Sequence, residues 1–226
     1  MDINWTDVDV TWYPLHIQVN VKRLIEDPGG VPSRLISEVV DAIVSRSCRD
    51  PDYYVTAAKV CHHVIEHEYE QQSYVSLPKY SFRISLINTC QLLLKDWHNV
   101  RNVSVRSWIF YCRFIAEIYK KVCVERSITI VAFRDLMINM MIQLTKTPCV
   151  SNFDEVDLLC SLFCDHGSSI SRASSTDIEE LMDAIRDAFL SANTDTPTQR
   201  LLLPLIEMYA SGFNLSDEAK RLYFQM

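Results

Sequence analysis

Glycine is scarce in this chain. Four residues in 226, Gly29, Gly30, Gly167 and Gly212, leave few positions for left-handed turns or for close approach of backbone to a phosphate. Neither a Walker-type phosphate loop nor a dinucleotide-binding G-x-G-x-x-G turn can be written from them. Tight β-hairpins are hard to build for the same reason. Long apolar runs are missing too: the longest, such as 108–112, fall far short of the roughly 20 residues a membrane span needs. The first ten residues, MDINWTDVDV, are acidic and lack a basic segment leading into an apolar core, so no signal peptide is predicted.

Clustered positive charge is also lacking. The net charge is −7, and it is unevenly spread. Residues 1–150 hold 17 Lys and Arg against 16 Asp and Glu, whereas residues 151–226 hold 5 against 13. Binding of bare nucleic acid by the whole chain is disfavoured, because affinity for phosphates needs grouped cations. The acidic C-terminal third suits a solubilising surface or attraction of a basic protein segment. Eight cysteines are present but lie singly in helix-patterned segments, which predicts reduced thiols in a cytosolic or nuclear protein rather than a disulfide framework.

What the chain has in abundance is helical periodicity, and the predicted fold is all-α. Helices are expected at about 15–26, 33–47, 52–71, 79–96, 104–124, 128–146, 153–166, 176–191 and 197–212, with a short tail that gives nine to ten in all. Residues 1–14 form an aromatic lead-in to a single domain over 15–226. Thr176 and Glu179 have the spacing of a capping box for the eighth helix. In the fifth, Trp108, Tyr111, Cys112, Ile115, Ile118, Tyr119 and Val122 share one stripe and Phe110 and Phe114 a second, which places it inside a layered array. Similar helix lengths and short connections predict a HEAT-like stack of antiparallel pairs, without a clean sequence repeat.

Two segments resemble metal or nucleophile sites. Cys61-His62-His63-Val64-Ile65-Glu66-His67-Glu68-Tyr69-Glu70 carries potential ligands, and His63 and His67 have i, i+4 spacing. The metalloprotease order is H-E-x-x-H, and here Glu66 is displaced from it. Cys61 falls about 160° around the helix from His63, on the apolar side, so the two cannot hold one ion. This segment reads as a polar helix face. Cys160 lies on the stripe of Val156, Leu159 and Phe163, and reads with Cys164 and His166 as packing rather than chemistry. No catalytic, cofactor-binding or metal-binding residue is assigned, and no cofactor is expected. Aromatic residues outside the regular stripes, Trp5, Trp12, Tyr53, Tyr54 and Tyr74, are the candidate anchors for a protein partner.

Ser107-Trp108-Ile109-Phe110-Tyr111-Cys112-Arg113-Phe114-Ile115-Ala116-Glu117-Ile118-Tyr119 resembles the F-I-G-E-L-F/Y helix in the middle domain of translation initiation factor 4G, with Ala116 in place of Gly. Residues 185–190 and Leu201 to Phe213, with Glu26-Asp27-Pro28-Gly29-Gly30-Val31 and Glu155-Val156-Asp157, resemble the small members that consist of little besides this domain. The resemblance implies a right-handed stack of HEAT-like helix pairs without catalytic activity. It further implies an adaptor that promotes translation of histone messenger RNA. Its partners would be the histone stem-loop-binding protein, translation initiation factors and a DEAD-box RNA helicase. Homodimerisation, indirect contact with RNA, no membrane association, and residence in cytoplasm and nucleus belong to the same expectation. A poly(A)-binding-protein-interacting adaptor and a direct RNA-binding module are the alternatives.

Overall fold

The computed structural model describes residues 13–72, 81–125, 130–191 and 196–224, all of them helix or connection. Among the described residues eleven α-helices follow in order: α1 Leu15–Glu26, α2 Ser33–Ser47, α3 Tyr54–Gln72, α4 Phe82–Lys95, α5 Trp97–Val103, α6 Val105–Ile118, α7 Val131–Leu144, α8 Phe153–Ala173, α9 Ser175–Leu190, α10 Thr196–Ala210 and α11 Asp217–Phe224. No strand occurs among the described residues. The chain divides into two compact units, Met1–Leu136 and Met137–Met226, with the division inside α7.

In the first unit α1 packs on α3 and α3 on α6, while α2 packs on α4, giving two layers of helices in the HEAT manner. The reason is visible in α6. Trp108, Tyr111, Cys112, Phe114, Ile115, Ala116 and Ile118 are all buried, so apolar side chains cover most of its circumference and it needs neighbours on several sides. Tyr111 Oη donates to the carbonyl of Cys90 at 2.8 Å, which satisfies the only polar atom of that side chain and ties α6 to α4. Beyond Ile118 the chain continues as a π-helical turn, Tyr119–Glu125, in place of the last turn of a longer α-helix.

Connections follow local chemistry. Asp27 Oδ1 accepts from Gly30 N at 3.2 Å and closes the turn after α1. Pro14 and Pro32 sit at the N-caps of α1 and α2, where extended backbone suits proline. The start of α4 is capped twice. Ser81 Oγ accepts from Ile84 N, and the carboxylate of Glu68, reaching over from α3, accepts from Phe82 N and Arg83 N.

The second unit is built on α8, which packs against α9 and α10, with α9 on α10 as well. Helix α8 runs through to Ala173 instead of stopping at 166. Inside it, Gly167 leaves room for Phe213, since a Cβ there would stand 2.8 Å from the Phe213 ring. The expected capping box at Thr176 is corrected as well. Ser174, with extended backbone, is the cap of α9, and its Oγ accepts from Asp177 N at 3.3 Å. Thr176 is already inside the helix.

Helix α10 ends in a Schellman arrangement. Phe213 N–H bonds to the carbonyl of Met208 at 2.8 Å and Gly212 N–H to that of Tyr209 at 2.9 Å, with Gly212 at φ 62°. Phe213 then stacks on Phe163 with ring centres 5.7 Å apart. Nothing lies within 4 Å of a Cβ placed on Gly212, so the cost of a side chain there is conformational alone. Gly212→Ala is expected to lower stability by about 1 kcal/mol, and Gly212→Asn by roughly half that, in parallel urea melts. Equal stability of all three proteins would contradict the left-handed cap.

A groove between the second, fourth and fifth helices

The histidine-rich segment lies on α3. Its Cys61 is fully buried among apolar neighbours, where burial pushes the thiol well above its usual range. The expected polar face, His63 and His67 with Lys59 and Glu70, is the half-buried to exposed side of α3. His62 and Glu68 are buried, His63, Glu66 and His67 are half-buried, and only Lys59 and Glu70 remain exposed. Helix α3 touches α1, α2, α4 and α6, so even its polar side is partly covered. Glu66 turns to the neighbouring ring, with Oε2 3.4 Å from His62 Nε2 and 3.9 Å from His63 Nδ1. Among the described residues no three His, Cys, Asp or Glu side chains gather as a metal-binding group.

Cys160 and Cys164 have no activating surroundings. The Cys160 thiol donates to the carbonyl of Leu201 at 3.2 Å, and burial, with Cys164 and Asp157 nearby, pushes it up to about 12. Burial and Asp165 also raise Cys164. Thiol chemistry needs thiolate, and each of these environments opposes it. All eight cysteines are free.

Of the candidate anchors, Trp5, Trp12 and Tyr74 lie outside the described residues. Tyr53 is buried, with its hydroxyl hydrogen-bonded to that of Tyr13 and its ring beneath the Arg46 guanidinium at 3.8 Å. Arg46 also reaches Asp50 at 3.3 Å. This cluster fastens the start of α1 to the link between α2 and α3, a packing role that offers a partner little surface. Tyr54 is half-buried at the first turn of α3.

Among the described residues a groove of about 460 Å³ lies in the first unit, formed by α2, α4, α5 and the start of α6. Its apolar bed comes from Val44, Leu93 and Val100, and Val103 stands at the rim, 87% exposed. Small hydroxyl residues, Ser45, Thr89 and Ser107, line the walls and leave room for close approach. Asp41 and Asp96 supply negative charge and Arg49 one positive charge. Thr89 Oγ1 donates to Asp41 Oδ1 at 3.3 Å and links α4 to α2, while Asn99 Nδ2 donates to Asp96 Oδ1 at 2.6 Å. The thiol lining the groove, Cys48, is pushed up to about 11 by burial, against the opposing effect of Arg49. An apolar bed with a few charges and no activated group is suited to binding rather than to bond making.

Sequence reasoning missed this groove, whose lining is drawn from residues 41 to 107 on four helices. It also missed α5. Seven residues are too few for periodicity to register, and the one local signal was Ser104, whose Oγ caps α6 by accepting from Ser107 N.

Comparison with known proteins agrees with the helical architecture. The chain is 28% identical over 225 residues to MIF4G domain-containing protein A of Danio rerio, covering 99% of this chain and 98% of that one. It is 26% identical over 219 residues to MIF4G domain-containing protein B of the same species, covering 96% and 95%. To the Homo sapiens MIF4G domain-containing protein it is 26% identical over 205 residues, covering 90% and 88%. The family model for the MIF4G domain matches residues 11–212, nearly the whole of the helical array, and the chain therefore belongs to the MIF4G domain family.

Proposed function

We propose that this chain is a non-catalytic adaptor in translation, holding a protein partner on its helical surface. The observation that carries the reading is family membership over 11–212, in a chain similar along almost its full length to relatives of about the same size. The groove supports it through its character: apolar bed, unreactive thiol, charges at hand for recognition. The more specific form of the proposal joins the histone stem-loop-binding protein on a messenger RNA to translation initiation factors or to a DEAD-box export helicase, in cytoplasm and nucleus. RNA contact in this reading is indirect, and self-association accompanies it.

The test is a pull-down from extract with the purified chain as bait, with and without nuclease, read by mass spectrometry. Nuclease-resistant recovery of initiation factors together with stem-loop-binding protein or an export helicase is the expected result. Recovery of poly(A)-binding protein in their place would replace the histone-message reading with the poly(A) one. If all partners vanish with nuclease while RNA stays on the bait, the adaptor reading fails.

A further inference from the structure

We infer that the groove between α2, α4 and α5 receives an amphipathic partner helix that carries Lys or Arg at positions i and i+7 and apolar residues at i+3 and i+4 between them. This deepens the adaptor reading and rests on it.

The argument begins with charge. Asp41 and Asp96 are exposed carboxylates on the groove wall, and neither is in an ion pair with a described residue. Each has only a neutral donor, Thr89 or Asn99, at one oxygen, so acceptor capacity remains for a cation. Their separation follows from the helix register. Asp41 is level with Thr89, and Asp96 lies seven residues further along, two turns or about 10 Å on an α-helix. Two cations seven residues apart on a second helix repeat that distance on one face.

The bed between the carboxylates selects the rest. Val44, Leu93 and Val100 offer apolar surface midway, which matches side chains at i+3 and i+4. The groove walls are helices whose backbone groups are already bonded within themselves, so no free sheet edge is offered to an extended strand. A helix brings its own backbone bonds and loses nothing by lying there. Arg49, exposed at the end of α2, is the one lining cation and opposes a basic partner.

Selection of a displayed helical library of about 16 residues, randomised on one face, against the full-length chain tests this directly. The expected winners carry Lys or Arg at i and i+7 with apolar residues between. Their affinity should fall about threefold to tenfold with Asp41→Asn or Asp96→Asn and fall further at high salt. It should rise about twofold to threefold with Arg49→Ala. Both Asp→Asn changes are at exposed positions, and circular dichroism melts would confirm an unchanged fold. Winners without that cation spacing, winners indifferent to both substitutions, or no winners at all would overturn the inference. Its failure is separable from that of the adaptor reading. If the doubly substituted chain (Asp41→Asn with Asp96→Asn) recovers the same nuclease-resistant factors from extract as the native chain, the groove is not the docking site while the adaptor stands.

Discussion

Trp108→Ala is expected to remove about 3–5 kcal/mol of stability from the first unit, a large share of the roughly 5–15 kcal/mol that holds a domain folded. Trp108 is fully buried and stands in a file of rings, 5.6 Å from Trp97 and 5.6 Å from Tyr111, the latter pair inclined by 20°. Tyr111 in turn holds the Cys90 carbonyl, so the cavity opens at the point where α4, α5 and α6 meet. Trp108→Phe is the informative control. The indole Nε1–H is buried and has no hydrogen-bond partner among the described residues. Phenylalanine therefore surrenders ring volume but no hydrogen bond, and it removes a buried donor whose desolvation is itself costly, about 1–3 kcal/mol. The expected loss for Trp108→Phe is about 1 kcal/mol or less. Urea denaturation followed by circular dichroism gives both numbers, and a Phe variant as unstable as the Ala variant would show that the indole nitrogen has a partner after all.

Much of the fold was legible because the chain is punctuated where its helices end. Helices α1 and α2 match the expected bounds, set by Pro14, by Asp27-Pro28-Gly29-Gly30 and by Pro32, each of which stops or starts a helix for a local reason. The apolar stripe of α6 likewise announced a helix packed on several sides, because burial all round leaves no alternation for solvent to read. The misreadings occurred where tertiary packing decides. The run Gly167-Ser168-Ser169 looks like a helix stop, yet Phe213, forty-six positions later, needs the space that a glycine leaves inside α8. The π-helical turn after Ile118 has the same apolar pattern as an ordinary continuation.

The candidate site was much less legible. Tyr53 was singled out as an aromatic outside the stripes, but Tyr13 and Arg46 meet it from other parts of the chain and cover it. The groove lining alternates small, apolar and charged residues whose meaning depends on four helices coming together. No local pattern encodes that. Asp41 and Asp96 each read as one more surface acid until the Thr89 contact sets their spacing.

Glu68→Ala is expected to cost about 2–4 kcal/mol, because it orphans the buried N–H groups that begin α4. Phe82 N lies 2.5 Å from Glu68 Oε1 and Arg83 N 3.1 Å from Oε2, so one side chain of α3 caps a helix fourteen residues away. Ser81 caps only Ile84 N and cannot replace it. Burial raises the Glu68 carboxyl above its ordinary 4.5; the two backbone donors and Arg83 pull in the opposite direction without cancelling it. The sign then follows. A carboxyl that binds its proton more tightly in the folded chain favours folding on the acid side, and that contribution is lost as pH rises from about 4.5 through the raised value. Glu68→Gln keeps one acceptor and abolishes the titration, at an expected cost of about 1–2 kcal/mol. The gap in stability between the native chain and Glu68→Gln should therefore be widest below pH 4.5 and narrow toward neutrality. Parallel urea melts across that range decide it: a gap that widens instead would mean that the N–H bonds to the carboxylate outweigh its burial, and that the cap is held mainly by charge.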